Sequence, residues 1–136
     1  MRWMKARSAL QTVISLALVA LLLLGCGPTA FLNFVEVQRE GVGEVTGLNR
    51  VWSVTVSPDG EHVYATGYLD DALVVFSRDG TTGKLTLVEV QRDGVGGVEG
   101  LAEARSVAVS PDGEGKHLYV VSKRDNAVAV FSVLHP

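Results

Sequence analysis

The sequence is short of the residues from which sites are most readily read. It holds one cysteine and three histidines in 136 residues. A single cysteine excludes an intrachain disulfide, and no Cys/His spacing suits a metal ion. Positive charge is scarce as well, with 12 Lys and Arg against 15 Asp and Glu. Arg2, Lys5 and Arg7 sit at the extreme N-terminus, so beyond residue 25 nine basic residues face fifteen acidic ones. An acidic body without a basic stripe argues against nucleic acid as a partner. Helical periodicity is nowhere established, and the longest apolar run, residues 13–24, has 12 residues, too few to span a bilayer. There is no phosphate loop and no nucleophile–base pair, and no cofactor is expected.

What the chain has in quantity is glycine, 15 residues of it, and repetition. Residues 34–60 and 87–113 align without a gap at an offset of 53, with 18 of 27 positions identical, and both stretches end in SPDG. Beyond them the offset becomes 55, because Gly115 and Lys116 have no counterpart in the first copy; residues 62–77 and 117–132 then share 7 of 16 positions. Self-similarity at such a period marks an array of blades or solenoid coils.

The body, residues 31–136, reads as short strands. They fall at 31–39, 51–57, 62–67, 72–77, 84–92, 104–110, 117–122 and 127–133. Ser57-Pro58-Asp59-Gly60 is a type I turn signal: proline pre-sets φ at its second position and glycine closes it. Along the SPDG strand Val54 and Val56 point one way while Ser53, Thr55 and Ser57 point the other. Branched residues on one face and small ones on the other suit sheets stacked face to face.

Ahead of the body, residues 1–25 combine a basic start with the apolar run, the composition of a signal peptide. The run ends in Leu23-Leu24-Gly25-Cys26, which resembles the lipobox of bacterial lipoproteins. That resemblance implies cleavage before Cys26, acylation of its thiol with palmitate-type chains, and a short tether over residues 26–30. The address it implies is the bacterial cell envelope, on the periplasmic or extracellular side, with the membrane as a partner through the lipid. Two long acyl chains anchor by roughly 20 kcal/mol at about 0.8 kcal/mol per buried methylene.

SPDG followed by HVYATG, then DDALVVFSRDGTTGKLTLVEVQ, resembles the repeat of the lactonase-like β-propellers. The resemblance implies an all-β fold of four-stranded antiparallel blades and, for the family, a ring of about seven. This chain supplies strands for only two. With strands lettered a to d from the centre outward, it reads d, a-b-c-d, a-b-c: one continuous blade and one split between residues 31–39 and 104–133. Two blades cannot close a ring, so both terminal faces should expose valine and the lone d strand should be an unpaired edge. Complementary ends of this kind predict a head-to-tail homo-oligomer, a cyclic assembly of three or four chains.

In a propeller the d–a loops and b–c turns share one face, around the channel mouth. There the chain places Arg50, Trp52, Asp70, Arg105 and Asp125 as candidate ligand-face residues, with Glu40, Glu44, Glu99, Glu103, Asp71, Lys123 and Arg124 nearby. Asp70 and Asp125 recur in both copies, which suits bonding to nearby backbone N–H groups. His62 and His117 also recur, on the opposite face and in different blades, and no metal is expected. A catalytic set needs groups that differ from blade to blade, and Trp52 against Arg105 is the clearest difference; no catalytic residue can be named. Three functions remain open: an envelope module binding or scaffolding a protein or glycan partner, a lactonase-type hydrolase of a sugar lactone, or a fragment of a longer propeller.

Overall fold

The computed structural model describes residues 31–134. The signal-peptide, lipidation and tether readings, residues 1–30, lie outside the described residues. The chain divides after Phe34; the described residues before that point form no strand, and the body begins at Val35.

Seven strands make up the body. β1 (Val51–Val56), β2 (His62–Gly67), β3 (Ala72–Arg78) and β4 (Leu85–Arg92) form one antiparallel sheet in that order; β5 (Ala104–Val109), β6 (His117–Ser122) and β7 (Ala127–Ser132) form a second. Among the described residues there is no helix. Each sheet is a meander, so every connection is a tight turn and neighbours in sequence are neighbours in space. This is the expected all-β, two-blade arrangement, with a complete first blade and a three-stranded second.

The SPDG turns close the inner hairpins with a shared serine–aspartate pair in both copies. The Gly60 N–H donates to the Ser57 carbonyl at 2.9 Å, and Gly60 takes a φ of 77° that a side chain would strain. The Ser57 hydroxyl accepts from the His62 N–H and bonds the Asp59 carboxylate, which also accepts from the Glu61 N–H. In the second copy the Ser110 hydroxyl and Asp112 do the same work, and the two extra residues are taken up by Asp112 accepting from the Gly115 and Lys116 N–H groups.

Two clusters hold the stack. Tyr64, Leu73 and Val75 from the facing side of the first blade meet Leu101, Val107, Leu118 and Val120 of the second. On the far side of the first blade, Val63, Ala65, Val74 and Phe76 are covered by Val45 and Leu48 from the loop over residues 40–50. That loop comes so close that a Cβ on Gly67 would stand 1.9 Å from the Gly47 carbonyl oxygen. Beyond the loop's reach the flank is bare: Val54 is 64% exposed and Val56 50%. The outer flank of the second blade exposes Tyr119, Val121, Val128 and Val130. Covering one valine is worth about 1.5–3 kcal/mol, so both flanks are surfaces that a further blade would stabilise.

The leading strand is where the structure departs from expectation. Residues 31–39 form no strand, and residues 35–39 do not complete the second sheet. The segment lies instead at the start of β4, where the Glu36 carboxylate accepts from the Leu85 N–H at 2.6 Å and the Gln38 amide donates to the Leu85 carbonyl at 3.0 Å. The reason is chain order. The segment precedes β1 and the three-stranded sheet follows β4, so within one chain the first blade stands between the segment and the edge it would complete. These bonds to Leu85 hold Glu36 below the usual carboxylate range, with help from Gln38.

Candidate functional site

β1 and β5 lie against each other, and each begins with a bulge. In β1, Val51 pairs with Gly67 and Ser53 with Thr66, leaving Trp52 as the extra residue. In β5, Ala104 pairs with Ser122 and Ser106 with Val121, leaving Arg105. A bulge re-aims its extra side chain and often stands beside a functional site. Here both are turned to the end of the blades that carries the long loops and the b–c turns.

The two bulge residues meet across the blade boundary. The Arg105 guanidinium lies 4.7 Å from the centre of the Trp52 ring and 5.6 Å from that of Tyr68, and the two rings are 5.3 Å apart at a tilt of 35°. Tyr68 stands at the end of β2, where its N–H is fixed by the Arg50 carbonyl. Its phenol is held above the usual range, first by a hydrogen bond to the Glu103 carboxylate and then by partial burial, with Arg105 acting in the opposite sense. Glu103 in turn lies 3.9 Å from the Lys123 ammonium. Arg105 keeps one buried nitrogen, Nε, without a hydrogen-bond partner among the described residues. The result is an aromatic plane, a guanidinium and a carboxylate within one small area, assembled from both blades.

A second set of groups builds the loops beneath this area. Asp70 accepts from the Asn49 N–H and Asp125 from the Ala102 N–H, both at 3.0 Å, in equivalent places of the two repeats. Glu40 and Asp93 likewise accept from the Leu48 and Leu101 N–H groups. Asp71 ties the blades together: it accepts from the Glu103 N–H at 2.7 Å and pairs with Arg124 at 2.7 Å. Arg50, Asp71, Glu103 and Asn126 all adopt positive φ, again in equivalent pairs, so these turns are conformationally demanding at non-glycine residues.

Of the five candidates on this face, the structure brings Trp52 and Arg105 together. It uses Asp70 and Asp125 to hold backbone, and Arg50 enters through its carbonyl. Sequence reasoning missed Tyr68 and its bond to Glu103. The signal was present, because Tyr68 stands where the second repeat has Lys123, a difference between copies of the same kind as Trp52 against Arg105. His62 stacks on Tyr64 at 6.3 Å, away from this face. Among the described residues no group of three or more His, Cys, Asp or Glu is placed to hold a metal ion.

Comparison with known proteins bears on what such a face belongs to. The model of the family described as lactonase, 7-bladed β-propeller, matches residues 30–135. No curated protein matches. Among solved structures, a putative 6-phosphogluconolactonase from Bacteroides fragilis is 29% identical, over 60% of this chain and 21% of its own, with a TM-score of 0.51. A protein from Lactobacillus plantarum is 25% identical, over 66% of this chain and 26% of its own, at 0.53. A putative 6-phosphogluconolactonase from Bacteroides uniformis shares the fold at 21% identity, over 62% of this chain and 23% of its own, at 0.52. The matched part of this chain thus spans about a fifth to a quarter of each of those chains.

Proposed function

The chain belongs to the lactonase family of seven-bladed β-propellers, and from that premise we propose that its two blades contribute to a channel mouth that binds a sugar lactone or the sugar acid formed when it opens. The observation that carries this reading is the contact of Trp52, Tyr68 and Arg105 across the blade boundary. An aromatic plane suits the C–H face of a sugar ring. A guanidinium, with its planar fork of donors, suits a carboxylate, a phosphate or a lactone carbonyl. Both groups are set by bulges on rigid strands, which fixes their aim.

Hydrolysis is the second reading, favoured by the family and by the Bacteroides fragilis neighbour described as a putative 6-phosphogluconolactonase. Arg105 is suited to stabilise the carbonyl oxygen as charge develops on it. Glu103 is suited to take a proton from the attacking water. The water oxygen bonds to the carbonyl carbon, the ring C–O bond breaks, and the ring oxygen leaves as an alcohol carrying the proton. A site of this kind needs the walls of a closed ring, and so more blades than these two.

The proposal includes an address. Cys26 is taken as the first residue of the mature chain, its acyl groups holding the body at the envelope membrane; the basic start, the apolar run and the position of the only cysteine support this. Titration with glucono-δ-lactone and gluconate, followed by isothermal calorimetry, tests the binding reading. A saturable change is expected in the parent chain, lost on Trp52→Ala and shifted to about tenfold weaker binding on Arg105→Met. Identical curves for parent and both variants overturn it. Separately, Cys26→Ser should abolish incorporation of labelled palmitate, and equal labelling of variant and parent removes the anchor.

A further inference from the structure

Among the described residues β7 has one strand neighbour. Its sheet ends there, whereas β3, its equivalent in the first blade, carries β4 on the far side. Two recesses flank the open edge. One, of about 360 Å³, lies between the blades against Leu73, Val75, Gln91 and Phe131. The other, of about 530 Å³, is acidic, with Asp93, Glu99 and Asp125 around Ala127 and Ala129. At the opposite end of the body, residues 35–39 lack a sheet ladder. Their sequence, VEVQR, is identical to residues 88–92 of β4.

We propose that residues 35–39 of a second copy of this chain add to β7 as the fourth strand of the second blade. The register follows from the first blade, where Ala72, Leu73, Val74 and Val75 pair with Arg92, Gln91, Val90 and Glu89. Carried to the second repeat, Ala127, Val128, Ala129 and Val130 pair with Arg39, Gln38, Val37 and Glu36 of the second copy. Backbone groups left open on β7 and on the segment then satisfy one another, as in strand addition generally.

Charge and shape select this occupant. In the first blade Arg92 donates to the Asp70 carbonyl. In the second, the second copy's Arg39 arrives at Asp125, in the recess that also holds Asp93 and Glu99. Val90 lies against Gly47, whose added Cβ would stand 2.8 Å from it. The second copy's Val37 comes correspondingly to Gly100, flanked by Ala127 and Ala129. A single chain cannot make the contact, because its own first blade stands between the segment and β7; on pairing, the second copy's segment exchanges its bonds to Leu85 for the ladder with β7. The contact is therefore heterologous, and repeated it closes a ring or extends a filament.

The test uses the full chain, detergent-solubilised, with Cys26→Ser as background. Gln38→Cys and Val128→Cys are placed on separate chains, mixed and oxidised. Directly opposed strand residues have Cα atoms about 4.5–5.5 Å apart, within disulfide range. A linked dimer is expected from the mixture, well above either variant alone. It should be several-fold above Gln38→Cys mixed with Ser132→Cys, which is about 13 Å out of register. By light scattering, Arg39→Glu should weaken association about tenfold, and Glu99→Lys on the same chain should restore most of it. A monomer at every concentration used for linking overturns the proposal. So does equal linking in and out of register, which is unspecific edge pairing.

Discussion

Leu73 and Val128 hold the same place in the two repeats, yet Leu73 is 1% exposed and Val128 59%. The contrast runs the length of the blades. β2 and β3 are buried on both faces along most of their length, while β6 alternates between buried and exposed and β7 is at best half covered. The motifs are the same, and the ladders of β1, β2 and β3 match those of β5, β6 and β7 in register, the first blade adding β4 beyond them. What differs is that the first blade is covered by the second on one face and by residues 40–50 on the other, while the second blade is covered by the first alone. A repeat thus specifies a strand and its turns, and the neighbouring blade decides what the strand is worth. The largest expected effect follows directly. Leu73→Ala should cost about 2–5 kcal/mol, as large-to-small changes in a packed core do. Val128→Ala should stay within about 0.5 kcal/mol, as exposed substitutions do. Denaturant unfolding of the two variants beside the parent checks this; equal losses would mean that the two blades are not differently packed.

Much of this is legible in the sequence. All seven strands were read to within a residue at each end, because period-two alternation and the SPDG turns are local signals. The bare flanks followed from counting blades. The leading strand over 31–39 does not form because a strand exists only through its partner; FLNFVEVQR has strand composition, but no neighbouring strand among the described residues pairs with it, and Glu36 and Gln38 bond the Leu85 backbone through their side chains instead. The site was half legible. Trp52 and Arg105 stand out because they break the repeat, but the bulges that aim them are a property of the pairing with β2 and β6. Tyr68 joins them only because the turn after β2 brings it back over the start of β1.

A second comparison concerns the close approach of the long loop to the end of the second strand. At Gly67 the Gly47 carbonyl leaves no room for a Cβ. The equivalent residue in the second blade is Ser122, which carries a Cβ and a buried hydroxyl without a hydrogen-bond partner among the described residues. The second loop must therefore hold its carbonyl clear of the Ser122 Cβ, although its glycine keeps the same place: an added Cβ on Gly100 would meet Ala127 at 3.4 Å, against 3.5 Å from the equivalent Ala72 at Gly47. Gly67→Ser should destabilise by about 1–3 kcal/mol through forced backbone displacement. Ser122→Ala should be neutral to slightly stabilising, within about 0.5 kcal/mol, because it removes a buried hydroxyl that bonds nothing. If thermal or denaturant unfolding shows the two changes to be alike, the loops pack alike and the contrast fails.

The smallest effect separates the two SPDG turns by pH. In the second turn the Asp112 carboxylate is held below its usual range, first by the Ser110 hydroxyl and then by the N–H groups of Lys116, Gly115 and Glu114, against a desolvation that raises it. A carboxylate whose folded value is depressed contributes stability above the unfolded value, near pH 4. That contribution is lost as pH falls through the folded value. Because Asp112 is exposed, the loss is local and small. The first turn has a further tie that no carboxylate titration touches: the Arg78 guanidinium donates to the Gly60 carbonyl at 2.9 Å. Below about pH 4, then, amide exchange at Gly115 and Lys116 should accelerate beyond the intrinsic pH dependence while Gly60 keeps its protection. Asp112→Asn should show the faster exchange already at neutral pH. Parallel loss of protection at both turns would mean that the inserted residues hang on more than this one carboxylate.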